Sequence, residues 1–221
     1  MTDQVDDDLD SAAVTGSSAV GRRGGFPKLR MQAADTGPDF GPFIEAMRTL
    51  QDLAVSVDAP DEVYGAALSH AQAMIDLLDP YRAPEGESPA GRVLDLPGRG
   101  SLLMVPWQVE YFGPDLVRSR GSFRRYHVGG NNAVHGGVIP LLFDEMFGFT
   151  SFMAKRSVSR TGYLHVNYRK VTPIDTPLVV ESRVDRIEGR KTFVVAELRD
   201  EDGTLLADAE GLMIKLLPGQ P

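Results

Sequence analysis

Residues 131–146 have the sequence NNAVHGGVIPLLFDEM, in which a glycine pair precedes an apolar run that carries two acids. The apolar spacing predicts a helix over residues 135–150. Pro140 would lie in the first turn, where a missing N–H costs no hydrogen bond, so we expect the helix to begin close to Gly137. A glycine pair can also serve only to let a helix start against a packed strand.

The two acids of this run, Asp144 and Glu145, have different predicted roles. Apolar neighbours predict that the Asp144 carboxylate is buried, and they are Leu141, Leu142, Phe143, Met146 and Phe147. Burying an unpaired carboxylate costs several kcal/mol and raises its pKa, which favours a functional role. Glu145 points about 100° away around the helix and is interpreted as structural. Because free N–H groups at a helix start can polarise a carbonyl oxygen, the element combines two groups suited to acyl hydrolysis.

Composition limits the class of protein. The chain has 221 residues, 42% of them hydrophobic and 24% charged, which suits one globular domain with an extension. No apolar stretch approaches the roughly 20 residues needed to span a bilayer, and the acidic N-terminus lacks a signal-peptide pattern, so a cytoplasmic location is expected. With no cysteine and no clustered set of acids, we predict neither a metal site nor a cofactor. The net charge of −8 argues against nucleic-acid binding.

The first hundred residues divide into a tail, a helical extension and a linker. Residues 1–37 are polar, without periodicity, and are predicted to be disordered. Helical spacing predicts two helices within residues 38–82, one over 42–57 and one that follows Pro60. Residues 83–100 are rich in proline and glycine and are predicted to be a linker.

Residues 101–221 are predicted to form a separate domain of strands around the helix. The predicted strands cover residues 102–112, 115–126, 162–169, 177–187, 192–199 and 205–216. Asp202-Gly203 predicts a hairpin turn between the last two. Two strands, one helix and four strands, with hairpins late in the chain, favour an α+β fold in which an antiparallel sheet curls around one central helix.

The second half of the chain is basic. From Lys155 to Arg199 there are ten Lys or Arg residues against five acids. This excess would suit a phosphorylated small molecule, but charge alone favours solvated strand faces.

Five segments between residues 101 and 218 carry a resemblance to a known family. In chain order they are His135-Gly136-Gly137 with Asp144 nine positions after the histidine, Thr161, Val166-Asn167-Tyr168-Arg169, DRIEGRK at 185–191 and IKLLP at 214–218. Together they resemble the hotdog-fold acyl-CoA thioesterases of the PaaI-like superfamily, and most nearly the mammalian acyl-CoA thioesterases of the carboxy-terminal modulator protein type. The resemblance covers about half of the chain. It implies the hotdog fold and hydrolysis of acyl-CoA to a carboxylic acid and free CoA, within fatty acid metabolism.

The resemblance also implies roles for four catalytic residues. The Gly137 amide would bind the thioester carbonyl oxygen, and Asp144 would act either as a general base or as a nucleophile. Thr161 would help to orient the attacking water, although a hydroxyl at a strand start explains it nearly as well. In the resembling thioesterases His135 would support the loop and the catalytic geometry. Alternatively, it only caps the turn.

Four further positions match residues that hold CoA in the resembling thioesterases, and they are Asn167, Arg169, Arg190 and Lys191. Arginine binds phosphate well, and CoA carries several phosphate charges. For Arg190 and Lys191 the alternative is a hairpin turn with solvated charges, which could hold at the same time. An aromatic wall would favour a fatty or aryl acyl group, and its rings are Phe143, Phe147, Phe149 and Phe152.

A homodimer follows from the spacing of the site. Gly137 and Asp144 are seven residues apart, about 10 Å along a helix, which is too far for both to contact one thioester. An antiparallel partner helix would bring Asp144 of one subunit near Gly137 of the other, and such dimers can pair into tetramers. Two rival functions use the same fold. One is a non-catalytic acyl-CoA-binding or regulatory protein, and the other is a hydratase, for which His135 lies too early in the sequence.

Overall fold

The structure, a computed structural model, describes residues 33–155 and 157–217. The predicted disordered tail falls largely outside these ranges. The helices of the described residues are α1 (Phe40–Ala54), α2 (Asp61–Leu78) and α3 (Val138–Lys155). Short 3₁₀ turns occupy Ala33–Thr36, Asp79–Tyr81, Pro97–Gly100 and Arg125–His127. The α3 helix begins directly after Gly137, as Pro140 predicts, and continues five residues beyond the predicted end.

The strands of the described residues form one six-stranded antiparallel sheet and one short hairpin. They are β1 (Gln108–Phe112), β2 (Val117–Gly121), β3 (Val128–Gly130), β4 (Ala133–Val134), β5 (Ser159–Tyr168), β6 (Leu178–Glu188), β7 (Lys191–Asp200) and β8 (Leu205–Lys215). The large sheet has the order β1-β2-β6-β7-β8-β5, so β1 and β5 are its edges. The α3 helix packs against β2 and β5–β8. The predicted α+β arrangement of a sheet around one central helix is therefore confirmed.

Close packing of α3 on the sheet forms the core. Phe143, Met146 and Phe147 of α3 are at most 1% exposed. A Cβ atom added to Gly211 on β8 would lie 2.5 Å from the Phe147 ring, so glycine is what lets the strand approach the helix this closely. Full burial of each large apolar side chain contributes about 1.5–3 kcal/mol, which makes this contact a main source of stability.

The prediction that aromatic rings of α3 line an acyl pocket is wrong. Phe143, Phe147 and Phe149 belong to the core cluster, and the Phe149 ring meets Phe112 edge-on at a centroid distance of 5.5 Å. Phe152 is half-buried and packs against the same cluster. These rings face the sheet because it covers the apolar side of the helix, so they do not indicate the class of acyl group.

The hairpin of β3 and β4 was not predicted. Its two-residue loop is Asn131-Asn132, and both residues have left-handed backbones, with φ of 50° and 56°. A tight hairpin turn of this kind requires positive φ at both central residues, which asparagine tolerates better than most residues. The Asn-Asn pair was therefore the signal for this turn.

The first two strands are shorter than predicted. The chain leaves the sheet after Gly121 for the 3₁₀ turn at Arg125–His127, and β1 begins only at Gln108. The predicted bounds of these two strands were therefore too wide.

Polar contacts fasten α1 of the extension to the turn at Arg125–His127. Asp52 accepts hydrogen bonds from the Tyr126 backbone N–H at 3.1 Å and from Arg124 Nε at 2.7 Å. Arg124 also pairs with Glu45. The helix α2 is different, because none of its side chains is buried.

His127 links this contact to the glycine pair, although the sequence offered no partner for it. Its side chain is buried, Nδ1 accepts the Arg124 backbone N–H at 3.0 Å, and its backbone carbonyl accepts the His135 N–H at 2.8 Å. Burial lowers the pKa of His127 to about 4, and Asp52 opposes this effect. A protonated Nδ1 could not accept the Arg124 N–H, so the structure holds the neutral imidazole.

We predict that the stability of the fold falls as this histidine is protonated. The pKa of His127 is lower in the folded chain than the ordinary value of 6.5. Its contribution to the free energy of unfolding is therefore complete above pH 6.5 and is lost as the pH falls towards 4. The full loss would be about 3 kcal/mol in the free energy of unfolding. Chemical denaturation of wild type and His127→Asn across this interval checks it, since the asparagine oxygen can accept the same N–H without titrating.

His70→Asn is the matched control, because His70 lies exposed on α2. The control should keep the pH dependence of the wild type, and His127→Asn should flatten it. An unchanged slope in His127→Asn would contradict the prediction.

Candidate active site

The loop His135-Gly136-Gly137 joins β4 to α3, and hydrogen bonds between backbone groups hold it in place. The His135 N–H donates to the His127 carbonyl, and the Val138 N–H donates to the His135 carbonyl at 2.9 Å. These contacts fix the loop just before the first turn of α3. The predicted carbonyl-binding amide, that of Gly137, therefore lies at the start of the helix.

The Gly137 amide already has a partner within the chain. It donates to His135 Nδ1 at 3.0 Å, a contact that was not predicted. Neither Gly136 nor Gly137 has a positive φ, but a Cβ on Gly137 would lie 3.3 Å from Nδ1. Glycine at 137 therefore allows the close approach of the imidazole. A substrate oxygen can bind this amide only by replacing His135 Nδ1.

The structure brings two of the predicted catalytic residues together. Thr161 Oγ1 donates to Asp144 Oδ1 at 2.6 Å, which joins β5 to α3. Asp144 is half-buried rather than buried, because the fully buried side of α3 faces the sheet and Asp144 lies beside it. One carboxylate oxygen is thus oriented by the threonine, and the group keeps access to solvent or substrate.

Glu145 has the structural role that its direction predicted. Arg99 Nε and Nη2 donate to its two carboxylate oxygens at 2.5 Å and 2.8 Å, and the Glu145 side chain is 20% exposed. Burial raises the pKa of Glu145, and the Arg99 charge opposes that shift. Arg99 was not predicted as a partner, and its left-handed backbone, with φ of 57°, was not visible in the sequence.

Tyr168 contacts the glycine pair and was also missed. Its hydroxyl, at the end of β5, donates to the Gly136 carbonyl at 2.6 Å. The residue lies within the segment Val166-Asn167-Tyr168-Arg169, which was matched to the family without a role for the tyrosine. The sequence signal for a role of Tyr168 was its position between two predicted CoA-binding residues, Asn167 and Arg169.

Two predicted CoA ligands, Asn167 of β5 and Arg169 directly after it, share one acid, Asp208 of β8. Asn167 Nδ2 donates to Asp208 Oδ1 at 2.9 Å, and Arg169 Nε donates to Oδ2 at 2.5 Å. The Arg169 hydrogen bond lowers the pKa of Asp208. Asp208 keeps its charge and holds the guanidinium in place, while 52% of the Arg169 side chain stays exposed.

The other two predicted CoA ligands lie at the hairpin between β6 and β7. Arg190 Nη1 donates to the Lys215 carbonyl at 3.4 Å, and the Lys191 side chain is exposed. Gly189 turns the chain with φ of 55°. The hairpin turn with exposed charges is therefore present, and it leaves Lys191 accessible to a ligand.

Within residues 33–155 and 157–217, no helix is long and apolar enough to cross a membrane. The same residues contain no group of three or more His, Asp or Glu side chains arranged to hold a metal ion.

Known proteins resemble the region that contains these residues. Residues 131–207 match the family model described as Thioesterase superfamily. Acyl-coenzyme A thioesterase THEM4 of Rattus norvegicus is 37% identical over 89 residues, which are 40% of this chain and 38% of that protein. Acyl-coenzyme A thioesterase THEM5 of Homo sapiens is 26% identical over 129 residues, which are 57% of this chain and 49% of that protein. The chain thus spans between 38% and 49% of the length of these relatives.

A solved structure supports the fold. A crystal structure of a thioesterase superfamily protein has a TM-score of 0.71 at 22% identity, over 80% of this chain and 96% of that chain. Residues 101–217 make up little more than half of the chain, so a likeness of this extent includes the helical extension. The chain therefore has the hotdog fold, and residues 131–207 of it match the thioesterase superfamily model.

Proposed function

We propose that the chain hydrolyses acyl-CoA thioesters to a carboxylic acid and free CoA. The observation that carries this proposal is the hydrogen bond from Thr161 to Asp144, which orients a half-buried carboxylate on α3. The names of the relatives support the same activity, and the superfamily match covers both residues.

Asp144 is the group that activates the attack. Acting as a general base, it takes a proton from water while the water oxygen bonds to the thioester carbonyl carbon. The carbon–sulfur bond then breaks, and the CoA thiolate takes up a proton. Thr161 occupies one carboxylate oxygen, so the other is available to the water. A direct attack by the carboxylate would form an anhydride that water then hydrolyses.

The Gly137 amide binds the carbonyl oxygen, on which negative charge develops. This oxygen replaces His135 Nδ1 as the acceptor, and the charged oxygen of the transition state accepts more strongly than a neutral imidazole does. One such donor contributes about 3–4 kcal/mol to lowering the barrier in comparable sites. His135 thus keeps the amide in position until substrate binds.

Two subunits are needed to complete this site. Gly137 precedes α3 and Asp144 lies two turns into it, about 10 Å away along the axis. An antiparallel α3 of a second copy brings Asp144 of one subunit to Gly137 of the other. Because β5 is an edge of the sheet that the described residues form, it can also pair with a second copy. We therefore include a homodimer with two shared sites in the proposal, with tetramers as pairs of such dimers.

Asp144→Asn should lower kcat by about 10²-fold or more with little change in KM, because it removes the base and keeps the shape. Release of free thiol from acyl-CoA measures this, and a series of acyl lengths tests the expected fatty acyl preference. The matched control is Asp115→Asn, since Asp115 also accepts a hydrogen bond from a hydroxyl group, that of Tyr111 on the edge strand β1.

Near-native turnover by Asp144→Asn would exclude the carboxylate as the activating group. If the wild type binds acyl-CoA and releases no thiol, the chain is instead an acyl-CoA-binding protein.

The double variant Arg190→Ala/Lys191→Ala should raise the KM for acyl-CoA about tenfold and leave kcat nearly unchanged. Contacts to the CoA phosphates are remote from the breaking bond, so they are similar in the ground state and the transition state. With an acyl-pantetheine thioester, which lacks the nucleotide phosphates, the variant should match the wild type.

Arg118→Ala/Arg120→Ala on β2 is the control for the loss of two positive charges. Equal effects of the Arg190 and Lys191 changes on both substrates would assign these residues to the hairpin turn alone.

A further inference from the structure

We propose that Tyr168 is a positioning residue for the oxyanion-binding amide of Gly137, and that it acts through the Gly136 carbonyl. The proposal rests on the proposed function, because it assigns a role in the same reaction. Tyr168 touches neither the Gly137 N–H nor Asp144 by hydrogen bond; its hydroxyl reaches the other side of the peptide group that carries the amide.

The geometry connects the hydroxyl to the amide through one rigid unit. The Gly136 C=O and the Gly137 N–H belong to a single planar peptide group, in which they point in opposite directions. A hydroxyl held 2.6 Å from the carbonyl oxygen therefore fixes the direction of the N–H. Glycine on both sides leaves this peptide without a Cβ to restrict its rotation, so an external contact has more effect here than elsewhere.

Tyr168 is the contact that persists when substrate binds. The other described hydrogen bond of this peptide runs from the Gly137 N–H to His135 Nδ1, and the substrate oxygen must replace it. The neighbouring bonds, from His135 to His127 and from Val138 to His135, hold the adjacent peptide groups. Among the described contacts, the Tyr168 hydroxyl alone then holds the plane of the Gly136–Gly137 peptide.

The same bond strengthens the amide as a donor. A hydrogen bond to a carbonyl oxygen polarises the peptide group and makes its N–H more positive, by an effect of roughly 10–30% per bond. The gain grows with the negative charge on the acceptor, so it is larger in the transition state than with the neutral thioester. Loss of the hydroxyl should therefore reduce kcat more than it weakens substrate binding.

Tyr168→Phe tests this role, because it removes the hydroxyl and keeps the ring. We expect kcat for acyl-CoA to fall about tenfold, with KM within about twofold of the wild type and an unchanged melting temperature. The matched control is Tyr111→Phe, which loses a hydroxyl hydrogen bond of 3.1 Å to Asp115 beside the opposite edge of the sheet. Its kcat should equal that of the wild type.

A second readout does not depend on activity. The Gly137 amide should exchange its hydrogen about tenfold faster in Tyr168→Phe than in the wild type, with no change in Tyr111→Phe, as NMR of labelled protein can measure. If the wild type hydrolyses no acyl-CoA, the proposed function fails and this readout still tests the contact. Wild-type kcat in Tyr168→Phe, unchanged exchange at Gly137, or a loss that lies mainly in KM would overturn the proposal.

Discussion

The structure depends on one packing contact, that of the apolar side of α3 against the six-stranded sheet. Glycine at position 211 lets β8 approach the Phe147 ring, and the aromatic side chains of α3 are used to fill the core. The two acids of the helix then lie beside this contact, where each finds a partner on a neighbouring segment. Asp144 meets Thr161, and Glu145 meets Arg99. The packing that makes the fold thus also decides which carboxylate is neutralised and which is available for chemistry.

The glycine loop is positioned from two directions. On one side, α1 of the extension holds the turn at Arg125–His127 through Asp52, and the His127 carbonyl holds the backbone of His135. On the other side, the Tyr168 hydroxyl holds Gly136. Hydrogen bonds therefore connect the extension to the proposed oxyanion site.

The sequence predicted the order of α3 and the strands of the large sheet, the start of α3 and the candidates Asp144 and Thr161, since periodicity, Pro140 and the family segments are local signals. It did not predict contacts between distant segments, such as Arg99 with Glu145 or Asp208 with Arg169, because nothing in a single sequence specifies which ionic groups meet. The aromatic rings of α3 were assigned to a pocket since apolar spacing does not distinguish a core face from a ligand-binding face. The hairpin turn could have been predicted from the Asn131-Asn132 pair, because asparagine tolerates positive φ.

In the proposed homodimer, one subunit supplies Gly137 and its partner supplies Asp144 to each site. Two inactive variants test it, Asp144→Asn and Gly137→Pro, the second of which removes the amide hydrogen. After mixing and subunit exchange, with each variant shown to be folded and dimeric, a heterodimer would contain one intact site, and the mixture should regain about a quarter of wild-type thiol release if exchange is random. If the two groups act within one subunit, every site in the mixture lacks one of them. Activity that stays at the level of the separate variants would therefore contradict the shared site.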